Sequence, residues 1–133
     1  MAESQGTLMV TDILDRLEWY QSLHSRWQTV IDILDRSLPY EASDGDHLTD
    51  SIPYRVQTYR TTAGGEREVA SSNQLIVLLE GQELFSIQDD EHLGLVTLFT
   101  EGRFIYLQSG EAMKWGQHAN EESKVRKVTF FLP

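Results

Sequence analysis

The chain has 133 residues, a length that suits one domain and leaves no room for a second independent core. Hydrophobic residues make up 40% of it and aromatic ones 10%, enough for a globular fold without staples; the absence of cysteine excludes disulfide scaffolds, thiolate zinc sites and thiol nucleophiles. With 21 acidic residues against 11 basic ones, the formal net charge of -10 repels nucleic-acid phosphates and anionic lipid headgroups, so neither nucleic acid nor membrane is expected as a partner.

The opening stretch MAESQGTLMV carries an early acidic residue and has neither a basic n-region nor an apolar h-region, which reads as a cytoplasmic protein. Residues 1–9 look like a polar lead-in. Apolar residues then recur at Ile13, Leu14 and Leu17, and again at Leu23, Trp27, Val30, Ile31 and Leu34, steps of three and four that predict helices. Thr11 and Ser22 can cap them, with a break near 20–22, and Pro39 is expected to end the helical section. The acidic stretch 41–50, with its Asp-Gly pair and no apolar period, reads as a solvated loop.

From Ile52 the period becomes two. Ile52, Tyr54 and Val56 fall on one side and Arg55, Gln57 and Tyr59 on the other, as in a half-buried strand, and Pro53 puts its start at an edge. Further strands are predicted at 75–79, 83–88, 93–99, 103–108, 112–115 and 125–132, with turns at 80–81, 89–91, 101–102 and 109–110. Helices first and strands afterwards exclude a doubly wound parallel sheet and favour helices packed on an antiparallel sandwich or barrel. The expected layout is one domain over 1–133, with a helical N-terminal segment at 1–38 and a β-roll at 52–133. The run 75–79, large on both sides and far short of the ~20 residues that span a bilayer, must be covered twice, by sheet packing within one chain or by a second copy in a homodimer.

No G-x-S-x-G marks a hydrolase serine, and the GERE stretch after Gly64 and Gly65 lacks the ending of a phosphate loop. His24, His47, His92 and His118 form no H-x-H or H-x-x-x-H pair. Asp44, Asp46 and Asp50 lack the order of a calcium loop. The side bearing Arg55, Gln57 and Tyr59 offers donors and a ring, which suits polyol recognition in a concave site or, equally, a solvent face. On the last strand Lys127, Thr129 and Phe131 share one side and Val128, Phe130 and Leu132 the other, so one side can line a cavity. Met113 and Trp115 share a side, which means core packing or an apolar platform for a sugar ring.

Several segments, in order and spacing, resemble the YhcH/YjgK/YiaL family, which includes the small beta subunit of the evolved beta-galactosidase. They are YQSLHSRWQTVIDIL, LPYE, YRVQTYRT at 54–61, VLLEGQE at 77–83, GRFIYLQSGEAMKW at 102–115 and KVRKVTFFL at 124–132. The resemblance implies a mainly β, cupin-like double-stranded β-helix, or jelly roll, with N-terminal α-helices. It also implies frequent dimers and roles in bacterial sugar metabolism, including sialic-acid anomer interconversion. The family's H-x-x-Y-x-D and G-[DE]-x-H elements gather polar side chains that can bind metal. Aligned here, the first histidine and the aspartate fall on Val69 and Gln74 and the last histidine on Met113; Glu111 survives, and Glu66 or Glu68 fills the upstream acidic position. One or two carboxylates beside a thioether hold a hard cation poorly, so neither metal nor cofactor is expected. His118, in the polar stretch beyond Met113, is a conceivable replacement imidazole.

Two functions follow from the resemblance. The first is a non-catalytic or weakly catalytic protein that binds a small carbohydrate or carbohydrate-like ligand through Arg55, Gln57, Tyr59, Gln74, Met113 and Trp115. The second is a sugar anomerase or epimerase in which Glu111, with Lys127 or Glu68, supplies the acid and base.

Overall fold

The computed structural model describes residues 9–63, 66–88, 93–119 and 121–133. The chain opens with strand β1 (Met9–Ile13), a 3-10 helix (Leu14–Leu23) and helices α1 (Trp27–Asp35) and α2 (Leu38–Glu41). Strands follow in unbroken succession: β2 (Gly45–Thr49), β3 (Ile52–Arg60), β4 (Glu66–Val69), β5 (Asn73–Glu80), β6 (Gln82–Gln88), β7 (Leu93–Thr100), β8 (Arg103–Leu107), β9 (Ala112–Gly116) and β10 (Lys124–Leu132).

The strands form a six-stranded sheet in the order β1-β8-β5-β10-β3-β2 and a four-stranded sheet in the order β4-β9-β6-β7, antiparallel throughout. Strands β3 to β10 divide between the sheets as 8-5-10-3 facing 4-9-6-7, the two-Greek-key arrangement of a jelly roll. Strands β1 and β2 widen the larger sheet at its two edges.

Period-two alternation sends side chains to two cores. From the larger sheet, Leu75, Val77, Phe104, Tyr106, Val128 and Phe130 point away from the roll and pack against Leu17, Trp27, Val30 and Ile33 of the helical segment. Ile76, Leu78, Ile105 and Leu107 point inward and meet Phe85, Phe99, Met113 and Trp115 of the smaller sheet. The apolar run on β5 is therefore covered twice within one chain, by helices on one face and by the second sheet on the other. Each such large side chain contributes about 1.5–3 kcal/mol on burial. Trp27 anchors the helical layer: its indole N–H donates to the Leu17 carbonyl at 2.7 Å, and its ring sits edge-on to Tyr106 at 5.2 Å and Phe104 at 6.1 Å.

Several local expectations are corrected. Residues 9–13 form an edge strand on β8 rather than the start of a helix, and Thr11 lies within it instead of capping. The first helix is of the 3-10 type; its break does fall in the expected stretch, at Tyr20, whose hydroxyl donates to Asp12. Arg26, not Ser22, precedes α1, and no side chain caps it. Pro39 does not end the helical section; it sits in the first turn of α2, where its missing N–H costs nothing. The acidic stretch around residue 45 is not a loop throughout, because residues 45–49 pair with β3 along its free edge. Strand β4, opposite β9, was not expected. The turns at 80–81, 101–102 and 109–110 are present, with Gly81, Gly102 and Gly110 at positive φ; the one placed at 89–91 lies outside the described residues.

Candidate functional site

Residues of both sheets line a cavity of about 600 Å³. Alternation on β3 directs Arg55, Gln57 and Tyr59 to its wall, because Ile52, Tyr54 and Val56 occupy the opposite, helix-covered face. Antiparallel register sets Lys127 of β10 directly across from Gln57. The smaller sheet adds Glu68 from β4, Trp115 from β9 and Glu83 from β6. Register carries this grouping too: Glu68 lies opposite Met113, and Phe85, two residues beyond Glu83, lies opposite Trp115.

The floor of the cavity is a buried charged array. Lys127 is 4% exposed and Glu83 1%, and the ammonium lies 3.4 Å from Glu83 Oε1. The Tyr59 hydroxyl donates to the same oxygen at 2.5 Å. Lys127 Nζ also stands 3.3 Å above the Trp115 ring and 5.0 Å from the Tyr59 ring centroid, a cation held on aromatic faces. Burial pushes the Lys127 ammonium below the usual lysine value, while the Glu83 and Glu68 carboxylates draw it back. Burial likewise pushes the Glu83 carboxyl up; Lys127 and the Tyr59 hydrogen bond oppose that, and Glu68 adds to it. Both shifts favour the neutral forms, so moving a proton between the two groups costs less here than in water.

The rim is more open. Arg55 pairs with Asp46 at 2.7 Å, with its guanidinium 5.7 Å from the Phe131 ring, and the Thr58 hydroxyl donates to Asp44 at 2.9 Å. Strand β2, unforeseen from the sequence, is what brings Asp44 and Asp46 beside this rim. Within the wall, the Trp115 indole N–H is buried and has no acceptor among the described residues. One face of that ring carries the Lys127 ammonium, and Phe85 packs at 4.7 Å, so it is less an open sugar platform than the sequence implied.

The other expected site residues lie elsewhere. Gln74 is buried on β5 beside Leu107 and Phe131, and Met113 packs in the inter-sheet core; neither lines the cavity. Glu111 also lies outside the lining. It is 3% exposed in the turn before β9, where Oε1 accepts the Gln108 N–H at 2.7 Å and its carbonyl accepts the Ala70 N–H at 3.0 Å. Its Oε2 has no partner among the described residues, and burial pushes its carboxyl up. His118 is outside the lining, in a small turn closed by the Glu121 N–H. Thus Arg55, Gln57, Tyr59, Glu68, Trp115 and Lys127 come together, and Glu111, Gln74 and Met113 do not join them. Glu83 was missed. Its signal was a carboxylate at an inward position in step with Phe85 and Ile87, at the end of VLLEGQE.

Among the described residues no group of three or more His, Cys, Asp or Glu side chains is placed to hold a metal ion. In the cavity the position beside Glu83 is taken by the Lys127 ammonium, which satisfies the carboxylate and repels a second cation. The donor set does not fit a divalent ion.

No family model and no curated protein matches the sequence of this chain. Its fold is similar to several solved structures. Hydroxypropylphosphonic acid epoxidase from S. wedmorenis aligns at 13% identity with a TM-score of 0.51, over 62% of this chain and 44% of that one. An ethanolamine utilization protein Q from Salmonella typhimurium aligns at 15% identity and TM-score 0.51, over 66% of each chain. Protein NMB1881 from Neisseria meningitidis aligns at 10% identity and TM-score 0.51, over 71% of this chain and 91% of that one. The chain spans less than half the length of the epoxidase. Strand order and these likenesses define a cupin-type jelly roll with an N-terminal helical layer. No helix among the described residues is long and apolar enough to cross a membrane.

Proposed function

We propose that the chain binds a small carbohydrate or carbohydrate-like molecule in the cavity, as a sugar-metabolism protein of the YhcH/YjgK/YiaL type working in the cytoplasm. The observation that carries this reading is the cavity itself: about 600 Å³, walled by Arg55, Gln57 and Tyr59, with a Lys127–Glu83 pair on its floor. That volume accommodates a single sugar ring, and the polar side chains present several donors and acceptors for its hydroxyls. The unmatched indole N–H of Trp115 supports the reading as well.

A second reading, a weak sugar anomerase or epimerase, is favoured by the buried Lys127, Glu83 and Tyr59 array. Ring opening needs one group to take a proton and another to give one, and each positioned group contributes a factor of about a hundred or more. In this reading Lys127 acts with Glu83 or Glu68. Glu111, the acid expected from the sequence, would act only from outside the cavity lining.

Thermal stabilisation by a panel of aldoses, amino sugars and sialic acids tests binding, and exchange spectroscopy of anomer interconversion tests turnover. Stabilisation without acceleration supports the binding protein. Acceleration that is lost in Glu83→Gln and kept in Glu111→Gln supports the enzyme with its acid in the cavity, whereas the reverse pattern restores Glu111. No stabilisation by any sugar refutes both. A homodimer is part of the proposal, and sedimentation at micromolar concentration tests it.

A further inference from the structure

We propose that Lys127 is an imine-forming residue: its amine condenses reversibly with the carbonyl of a small aldehyde or ketone, such as the open-chain form of a reducing sugar, bound in the cavity. The inference rests on the reading of that cavity as a small-molecule site and names the functional group it takes.

Three features support it. Lys127 is one of three lysines in the chain, and it alone is buried; Lys114 and Lys124 are exposed. Lys127 lines the floor of a cavity large enough for a ligand, not a sealed core. Its surroundings suit each stage of the condensation. The neutral amine is the nucleophile, and burial raises the share of that form. Nζ attacks the carbonyl carbon, its proton passes to the carbonyl oxygen, and a carbinolamine results. The carbinolamine hydroxyl then takes a proton from the Glu83 carboxyl and leaves as water while the nitrogen lone pair forms the C=N bond. Glu83, 3.4 Å from Nζ, is the acid within reach: its carboxyl carries the proton that the ammonium gives up on becoming the free amine, and the Tyr59 hydroxyl donates a hydrogen bond to the carboxylate left behind. The sum is an ammonium–carboxylate pair plus a carbonyl giving a protonated imine–carboxylate pair plus water, with no change of oxidation state.

The product fits the same environment. A protonated imine carries its positive charge at the nitrogen, where the Glu83 carboxylate and the Trp115 ring already hold the ammonium. The site therefore keeps its ion pair and its cation-on-aromatic contact when the ligand is attached. An ion pair with a purely architectural role would not need the cavity beside Nζ.

The test uses the full chain with glycolaldehyde and sodium cyanoborohydride at neutral pH, followed by peptide mass mapping of the reduced adducts. Lys127 is expected to be alkylated about tenfold or more faster than Lys114 and Lys124, since a positioned general acid such as Glu83 contributes a factor of about a hundred or more. The preference should vanish when the same reaction is run on the urea-unfolded chain. A smaller preference, or a rate order that follows exposure, overturns the proposal. Glu83→Gln should slow the adduct at Lys127 by about tenfold or more without slowing those at Lys114 and Lys124; an unchanged rate removes Glu83 from the step. Sugars and their alditols, which lack a carbonyl, separate the two claims. Stabilisation by an alditol without any adduct at Lys127 leaves the binding site standing and sinks the imine. An adduct at Lys127 with no stabilisation by any sugar does the opposite.

Discussion

Replacing Lys127 with methionine keeps most of the apolar stem and removes the ammonium, leaving the Glu83 carboxyl 1% exposed with the Tyr59 hydroxyl still donating to it at 2.5 Å. Breaking one half of a buried pair costs about 3–5 kcal/mol, and neither partner here is exposed enough for solvent to screen that loss. Proton uptake sets the ceiling. Burial already holds the Glu83 carboxyl above its usual value, Lys127 opposes that rise, and its removal lets the value climb further. A carboxyl whose value is raised by folding holds a proton that the unfolded chain releases. Stability therefore falls as pH climbs from the unfolded value of about 4.3 through the folded one. The deficit of Lys127→Met should be about 3 kcal/mol near pH 8, roughly 10 °C in Tm for a chain of this size, and clearly smaller near pH 5. Adding Glu83→Gln, whose amide oxygen still accepts from Tyr59, should recover about half the loss and flatten its pH dependence. Urea unfolding followed by tryptophan fluorescence at the two pH values measures all of this. A deficit under about 1 kcal/mol at both, or one equal at both, refutes the account of a desolvated, mutually dependent pair.

Gly81→Ala should be among the most damaging single changes on the surface, because φ is +90° there and the new Cβ would lie 2.1 Å from the Lys124 carbonyl oxygen; a loss above about 3 kcal/mol in urea unfolding is expected. Trp27→Phe removes the donor that meets the Leu17 carbonyl and shortens the ring facing Phe104 and Tyr106, for a loss of about 2–3 kcal/mol measured the same way. In Glu111→Gln the carboxyl that burial pushes up is gone. Stability relative to the parent chain should then shift in the variant's favour as pH rises from about 4 to about 8, and a flat difference in a pH series of melts would refute that.

Much of the roll was legible because its causes are local. Alternation at 52–60 reported a strand with one covered face, and the turn glycines 81, 102 and 110 marked hairpins that need positive φ. The run at 75–79 announced a strand covered on both faces, and only packing could show that helices cover one of them. Among the residues that line the cavity, Arg55, Gln57 and Tyr59 share the side of β3 that period alone had marked. Lys127 joined them because β10 pairs with β3, a partnership no local pattern encodes.

What escaped the sequence depended on distant partners. Residues 9–13 and 45–49 have little strand pattern of their own; they are extended because the edges of β8 and β3 offer unpaired backbone groups that they satisfy. Glu83 and Lys127 stand 44 positions apart and on different sheets, so neither predicts the other. Composition, charge and period determined what kinds of elements the chain makes and which side of each is apolar. Sheet pairing decided which polar side chains share a dry space, because register and curvature, set by the whole roll, bring them within reach of one another.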